Sequence, residues 1–423
     1  HDVKTIGEAA PLQDIFAIAQ ADRSKEQTQT LLNYYLNNND QQYPKLLKVL
    51  ADLEKEKAAI DARSPVTHVQ VEKQDSDAMA YILMRGEYDK KGEQVSAATP
   101  ASLHPFADDL PNNRLGLAQW IVDPANPLTL RVTVNRFWQM LFGVGLVKTT
   151  ENFGVQAEYP RHPELLDWLA AEFMQSGWDV KGLIRTIVTS ETYQRSSTIS
   201  SFAEYERDPE NRYLARGSRF RMPSWMIRDQ ALAVSGLLNP QMGGKAVYSY
   251  QPTGIWAEAT FGKKKFQQDK GKALYRRSLY TYWRRIIGPT MFFDVAKRQV
   301  CEVKPLRTNT PMHALTIMND VTYVEAGRAL ADILLHDAKD DEPRLSLAVT
   351  RVLGRKPSAE ELILLKRSLE RGIASFTEDP EAARRFLAHG DSKATSAVPP
   401  ATRAAWAALC LNLLNLDETL NKE

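Results

Sequence analysis

Residues 127–142 read Pro127-Leu128-Thr129-Leu130-Arg131-Val132-Thr133-Val134-Asn135-Arg136-Phe137-Trp138-Gln139-Met140-Leu141-Phe142, and this run decides the fold. Its apolar residues return at a period of about 3.6, the spacing that gathers them on one face of a helix. Arg114–Val122 carries the same period, and Pro124 and Pro127 punctuate the gap between the two segments. Downstream, His162-Pro163-Glu164 opens a further helix through about Gln175, with proline at its first position and glutamate at the positive end of its dipole. Gly177 stops it, Val180–Tyr193 supplies the next helix, and Trp225–Leu238 another after the polar stretch Ser197–Met222. Thr310 can cap a helix whose first residue is Pro311. Ser358 and Glu361 make a capping-box pattern ahead of Leu362, Leu364 and Leu365. The chain closes on the apolar segment Trp406–Leu416.

Upstream, residues 11–60 also read as helices, with Leu46, Leu47, Leu50 and Leu53 at helical spacing among charged positions. Two strand-like runs follow, Val66–Val71 and Met79–Tyr88, with Asp75-Ser76-Asp77 as the turn between them. The expected fold class is therefore mainly α: a multi-helical, bundle-like body with a small β-hairpin near residues 66–88. The loop Lys90–Asn113, with Gly92, Pro100, Pro105 and Pro111, is the best boundary. Three parts are expected: a connector over 1–100, a helical domain over 101–240, and an irregular Arg/aromatic segment with a C-terminal helical domain over 241–423.

The 423 residues are 43% hydrophobic and 25% charged, a composition that fills globular cores. Lys+Arg 54 against Asp+Glu 52 leaves a net charge of +2, without the concentrated basic footprint of a nucleic-acid binder. No window approaches the roughly 20 consecutive apolar residues that a membrane span needs. The sequence opens His1-Asp2 without an initiator methionine, so a signal peptide would lie ahead of it. Cys301 and Cys410 form no Cys-x-x-Cys or Cys-x-x-Cys-His pattern, which excludes zinc-ribbon, thioredoxin-like and covalent c-haem sites within this chain. They read as two small hydrophobes, with pairing between them left open.

Phosphate-binding loops, nucleophile elbows, His-Glu-x-x-His and dinucleotide fingerprints are all absent from the sequence, and no metal site is expected. The densest chemistry lies between Tyr275 and Asp320. Arg276-Arg277, Tyr280, Tyr282, Trp283, Arg284 and Arg285 interleave guanidinium groups with rings, a mixture suited to stacking and to bidentate recognition of carboxylate, sulfate or phosphate. Arg307-Thr308-Asn309-Thr310-Pro311 places a cation ahead of a helix start whose free N–H groups favour anions. The anion-binding candidates are accordingly Arg276, Arg277, Arg307, Thr308 and Asn309. Acid–base candidates are His162, His313 and Asp294. Each has a plainer reading: arginines pair with acids such as Asp294 or Glu302, His162 and Glu164 cap a helix, and Asn319-Asp320 makes a turn or cap. Asn135 and Arg136, inside an apolar helix, need partners of their own.

Taken together, Asn113-Arg114-Leu115-Gly116-Leu117-Ala118-Gln119-Trp120, Asn126-Pro127-Leu128-Thr129, Arg131–Gln139, Asn152-Phe153-Gly154, His162–Ala170 and Thr189-Ser190-Glu191-Thr192-Tyr193 resemble a planctomycete-type domain of unknown function. Tyr275-Arg276-Arg277-Ser278-Leu279-Tyr280, Arg307–Pro311 and Met318-Asn319-Asp320 extend the likeness, which runs from about residue 105 to the C-terminus. The resemblance implies a periplasmic or extracellular protein, in which a c-type haem domain and a second helical domain lie upstream of this chain or on a cleaved partner. It implies no cofactor in the chain itself and supplies no catalytic residues. The expected function is a helical part of an exported, haem-linked assembly that binds or acts on a polysaccharide or sugar. A non-redox hydrolase of sulfated glycans and a non-catalytic scaffold remain the alternatives.

Overall fold

The computed structural model describes residues 10–64, 66–71, 79–263, 265–284, 287–295, 301–304, 306–393 and 398–422. It divides once, between Ala97 and Ala98, inside the expected Pro/Gly-rich loop. The first unit holds helices α1 (Ala10–Phe16), α2 (Lys25–Asn38) and α3 (Tyr43–Arg63) and the antiparallel pair β1 (Ala80–Leu83) and β2 (Lys91–Val95). Ser24 starts α2 through a capping box with Gln27. The α3 leucines Leu46, Leu47, Leu50 and Leu53 are all exposed, and Leu12 is the buried residue of this unit among the described ones.

The hairpin expected near residues 66–88 is present, but its strands are displaced along the chain. Ala80 pairs with Val95 and Tyr81 with Gln94, with a bulge before Leu83. Residues 66–71 form no strand, and the expected turn at 75–77 lies outside the described residues. The actual turn uses Arg85 and Gly86, both at positive φ, and closes with Met84 N–H donating to the Lys90 carbonyl. Its second strand, Lys-Gly-Glu-Gln-Val, is exposed at every position, so no apolar alternation announces it.

The second unit, residues 98–423, runs across the position 240/241 at which the sequence suggested a further division. Its helices are α4 (Arg114–Ile121), α5 (Thr129–Phe142), α6 (Pro163–Gln175), α7 (Val180–Val188), α8 (Phe202–Arg207), α9 (Ser224–Val234) and α10 (Ile255–Ala259). They are followed by α11 (Pro311–Asn319), α12 (Val321–Asp337), α13 (Asp341–Leu353), α14 (Ala359–Glu378), α15 (Pro380–Leu387), α16 (Pro400–Leu414) and α17 (Asp417–Leu420). A short antiparallel pair, β3 (Phe220–Arg221) with β4 (Asn421–Lys422), ties the middle of the chain to its end. Local signals set several of these ends: Pro163 begins α6, Ser358 and Glu361 bond reciprocally at α14, and Asp320 both ends α11 and caps α12.

The larger core surrounds α12 and α16. Tyr323, Leu330, Leu334, Trp406 and Cys410 are fully buried there, and Ile227 and Ala231 of α9 join them, which binds both sides of position 240 into one unit. Gly327 permits the close approach, because a Cβ there would lie 3.0 Å from the Ala407 carbonyl. Asp332 and Arg403 face each other inside this core at 2.6 and 2.7 Å. A second core joins α5, α6 and α7 through Val134, Trp138, Phe142, Leu169, Phe173 and Ile187. Asn135 is buried in it and brackets Val147, donating to its carbonyl at 3.0 Å and accepting from its N–H at 2.8 Å. No helix of the described residues is long and apolar enough to cross a membrane.

Candidate anion-binding site

At the C-terminal end of α5 the chain turns at Gly143, φ +81°, and opens a cavity of about 570 Å³. Trp138 and Phe142 back it, Arg161 and His162 enter from the start of α6, and residues 205–220 and Arg307 close the rim. Six basic side chains line it (Lys148, Arg161, Arg212, Arg216, Arg219 and Arg307) against one acid, Glu210. That imbalance makes the cavity a focus of positive potential.

The loop that carries three of these arginines is built by its own polar groups. Asp208, buried, accepts the N–H groups of Arg212 and Tyr213 at 2.7 and 2.8 Å. Asn211, at φ +54°, exchanges hydrogen bonds with the Arg216 backbone. Arg212 donates to the Gly145 and Leu146 carbonyls at 3.1 and 3.0 Å, and its Nε lies 3.9 Å from Glu158. Arg216 donates to the Asp208 and Pro209 carbonyls. Lys148 is held by Glu210 at 2.6 Å, and Arg219 by Asp417.

Arg161 and Arg307 differ from Lys148, Arg212 and Arg219, which have carboxylate neighbours, and from Arg216, whose guanidinium is taken up by two carbonyls. Neither has a carboxylate within ion-pairing distance among the described residues; Arg161 lies over the Tyr213 ring at 5.9 Å. Arg307 has an exposed side chain whose guanidinium stacks 4.5 Å above Phe220, with Nη1 3.5 Å from the Gly143 carbonyl. Packing at the guanidinium desolvates it and draws its pKa below the usual arginine range. An arginine stays charged well above neutral pH, so Arg307 presents an uncompensated cation to the cavity.

Of the residues singled out from the sequence, the cavity contains Arg307 and His162. The His162 Nε2 atom lies 3.2 Å from the Arg212 carbonyl, which ties α6 to the arginine loop. Arg276 and Arg277 diverge although they are adjacent. Arg276 is buried, donates to the Gln241, Gly243 and Lys245 carbonyls, and stacks 3.7 Å over Tyr280 at a separate cavity of about 410 Å³. Arg277 faces outward, with Nε 3.5 Å from Asp229. Thr308 is engaged by Asp294, which accepts its N–H at 2.6 Å and its hydroxyl at 2.9 Å. The side chain of Asn309 is exposed, and Thr310 precedes α11 without a side-chain cap. His313 stacks on Phe293 at 4.0 Å, its Nδ1 buried and unpartnered. The structure thus does not bring Arg276, Arg277 and Arg307 to one cavity; it gathers Arg307 with Arg161, Arg212, Arg216 and Arg219. Cys301 and Cys410 are both free, the first exposed and the second buried. Among the described residues no group of three or more His, Cys, Asp or Glu is arranged to hold a metal ion.

Residues 113–369 match the family PSD1, a protein of unknown function (DUF1553). The chain belongs to the PSD1 family. The PSD1 match takes in the α5–α7 core whole, the larger core in part, and every basic residue of the cavity, from Lys148 to Arg307. No curated protein and no solved structure matches the chain.

Proposed function

We propose that the cavity binds an anionic saccharide, carrying sulfate or carboxylate, and that the chain works as the ligand-binding part of an exported assembly. The observation that carries this reading is the pair Arg161 and Arg307, cations without carboxylate partners among the described residues, at a cavity lined by one acid. A guanidinium backed by a ring offers both a charged fork and an apolar face, which suits a sugar with an acidic substituent. Binding is favoured over glycan hydrolysis because glycosidases commonly use two carboxylates, and the one here, Glu210, is engaged by Lys148. Residence in the periplasm or outside the cell, and a c-type haem on a companion domain, rest on the planctomycete-type resemblance; redox chemistry would then belong to that companion.

Calorimetric titration with a sulfated tetrasaccharide and its desulfated counterpart tests the reading. The sulfated form should bind, more weakly as salt rises, and Arg161→Ala with Arg307→Ala should remove the binding while unfolding shifts by less than about 1 kcal/mol per site. Equal binding of both saccharides, or binding that survives the double change, would overturn it.

A further inference from the structure

Arg307 lines two cavities. Beyond it, on the other flank of α5, lies a second space of about 580 Å³, lined by Arg136, Phe137, Met140, Trp225, Trp283, Leu306, Asp294 and Glu302 among others. Both volumes fall in the range of roughly 300–1,000 Å³ typical of small-molecule sites. α5 divides them: Trp138 and Phe142 back the first, while Thr133, Phe137 and Met140 line the second. The Arg307 guanidinium, seated on Phe220, is the element common to both.

Their chemistry is opposite. Basic groups dominate the first. The second presents large apolar groups to solvent, with Trp225 40%, Met140 59% and Leu306 75% exposed, and adds the carboxylates Asp294 and Glu302. Indole faces pack against the C–H faces of sugar rings, and carboxylates accept from sugar hydroxyls. The same carboxylates repel a second acidic substituent. Arg136, at the edge, is the counterweight on that side besides Arg307.

Building on the anion-binding reading, we propose that the two cavities are consecutive subsites for one saccharide: a charged unit beside Arg161, and an uncharged unit against Trp225. Arg307 then bridges the linkage between them. The ligand class is an acidic glycan in which charged and uncharged units adjoin, as opposed to a uniformly charged polymer.

The experiment compares three probes on the intact chain by calorimetry and tryptophan fluorescence: a monosulfated monosaccharide, a disaccharide of one sulfated and one uncharged ring, and a disaccharide sulfated on both rings. The mixed disaccharide should bind about tenfold more tightly than the monosaccharide, a gain in line with one aromatic stacking contact. Trp225→Ala should erase that gain and leave the monosaccharide unaffected, and Trp225→Phe should restore most of it. Trp225 is partly exposed, and circular dichroism checks that the variants fold. If the monosaccharide binds but the second ring adds nothing, or if the doubly sulfated form binds as tightly as the mixed one, the subsite assignment fails alone. If no sulfated probe binds, the anion reading fails and this one with it. An alkyl sulfate that binds more tightly than the mixed disaccharide and depends on Trp225 would assign the second cavity to a lipid-like tail and overturn the saccharide.

Discussion

Arg403 on α16 and Asp332 on α12 form a two-pronged ion pair at 2.6 and 2.7 Å, with side-chain exposures of 9% and 7%. The pair joins the two central helices inside the larger core. Replacing Arg403 by Met leaves the Asp332 carboxylate buried and uncompensated, an outcome that costs about 3–5 kcal/mol. Urea unfolding should show a loss of that size for Arg403→Met, and recovery of much of it in the double change with Asp332→Leu. Equal stability of the single variant and the wild type would show that the pair is not shielded from solvent.

Asn135 makes a second prediction of stability. Its amide satisfies both backbone groups of Val147 inside the α5–α7 core. Asn135→Leu strands that N–H and carbonyl, at about 1–3 kcal/mol for each group. The thermal midpoint should fall, and hydrogen exchange at the Val147 amide should quicken more than at the amides of α5.

Gly143→Ala connects stability to binding. The residue sits at φ +81°, where an L side chain is strained, and an added Cβ would lie 2.7 Å from the Phe220 ring. Unfolding should become easier by more than about 1 kcal/mol. Phe220 must also shift from beneath Arg307, so affinity for a sulfated saccharide should drop with it. Unchanged affinity would show that the Phe220–Arg307 stack does not shape the site.

Acid sensitivity should appear at the start of α14. The Arg355 guanidinium, and after it the Ser358 N–H, hold the Glu361 carboxyl at about 2. An unfolded glutamate titrates near about 4.3. The stabilising contribution is therefore full above about pH 4.3 and disappears as pH falls toward 2. The pair is partly exposed, so solvent screening keeps the effect small. Glu361→Gln should flatten this part of the stability–pH curve while leaving neutral pH stability slightly lower; a curve parallel to wild type would refute it.

Residues 1–97, expressed alone, should show helical circular dichroism without a cooperative melt. Leu12 is the buried residue among those described there, and the α3 leucines are exposed. A two-stranded hairpin adds little in water. A sharp transition would show that these helices find a core of their own.

What could be read from the sequence is what neighbouring residues decide. Pro163 marks the start of α6 and Ser358 with Glu361 the start of α14, because capping is settled within four residues. Thr310, an equally suitable residue type, makes no cap bond, and two residues earlier Thr308 bonds Asp294 across the chain instead. The cavity was legible only through Arg307 and His162. Arg212, Arg216 and Arg219 lie in a stretch that reads simply as polar; Asp208 and Asn211 hold its turns together, and Arg212 ties it to the chain just after α5 and, through its carbonyl, to His162 at α6. Arginine density between Arg207 and Arg221 was the available signal. The divergence of Arg276 and Arg277 was not legible at all: adjacency along the chain says nothing about direction, and the backbone sends one guanidinium inward to carbonyls and the other out to Asp229.

The β3–β4 pairing reaches beyond architecture to the order of assembly. It joins Phe220 to Lys422, and the neighbouring Arg219–Asp417 contact spans 198 positions of chain. Contacts of such separation carry a large loop-closure entropy and form late, after helices with local contacts are in place. Phe220 is the platform on which Arg307 rests. The proposed site is therefore expected to take shape late in folding, after much of the helix content has formed.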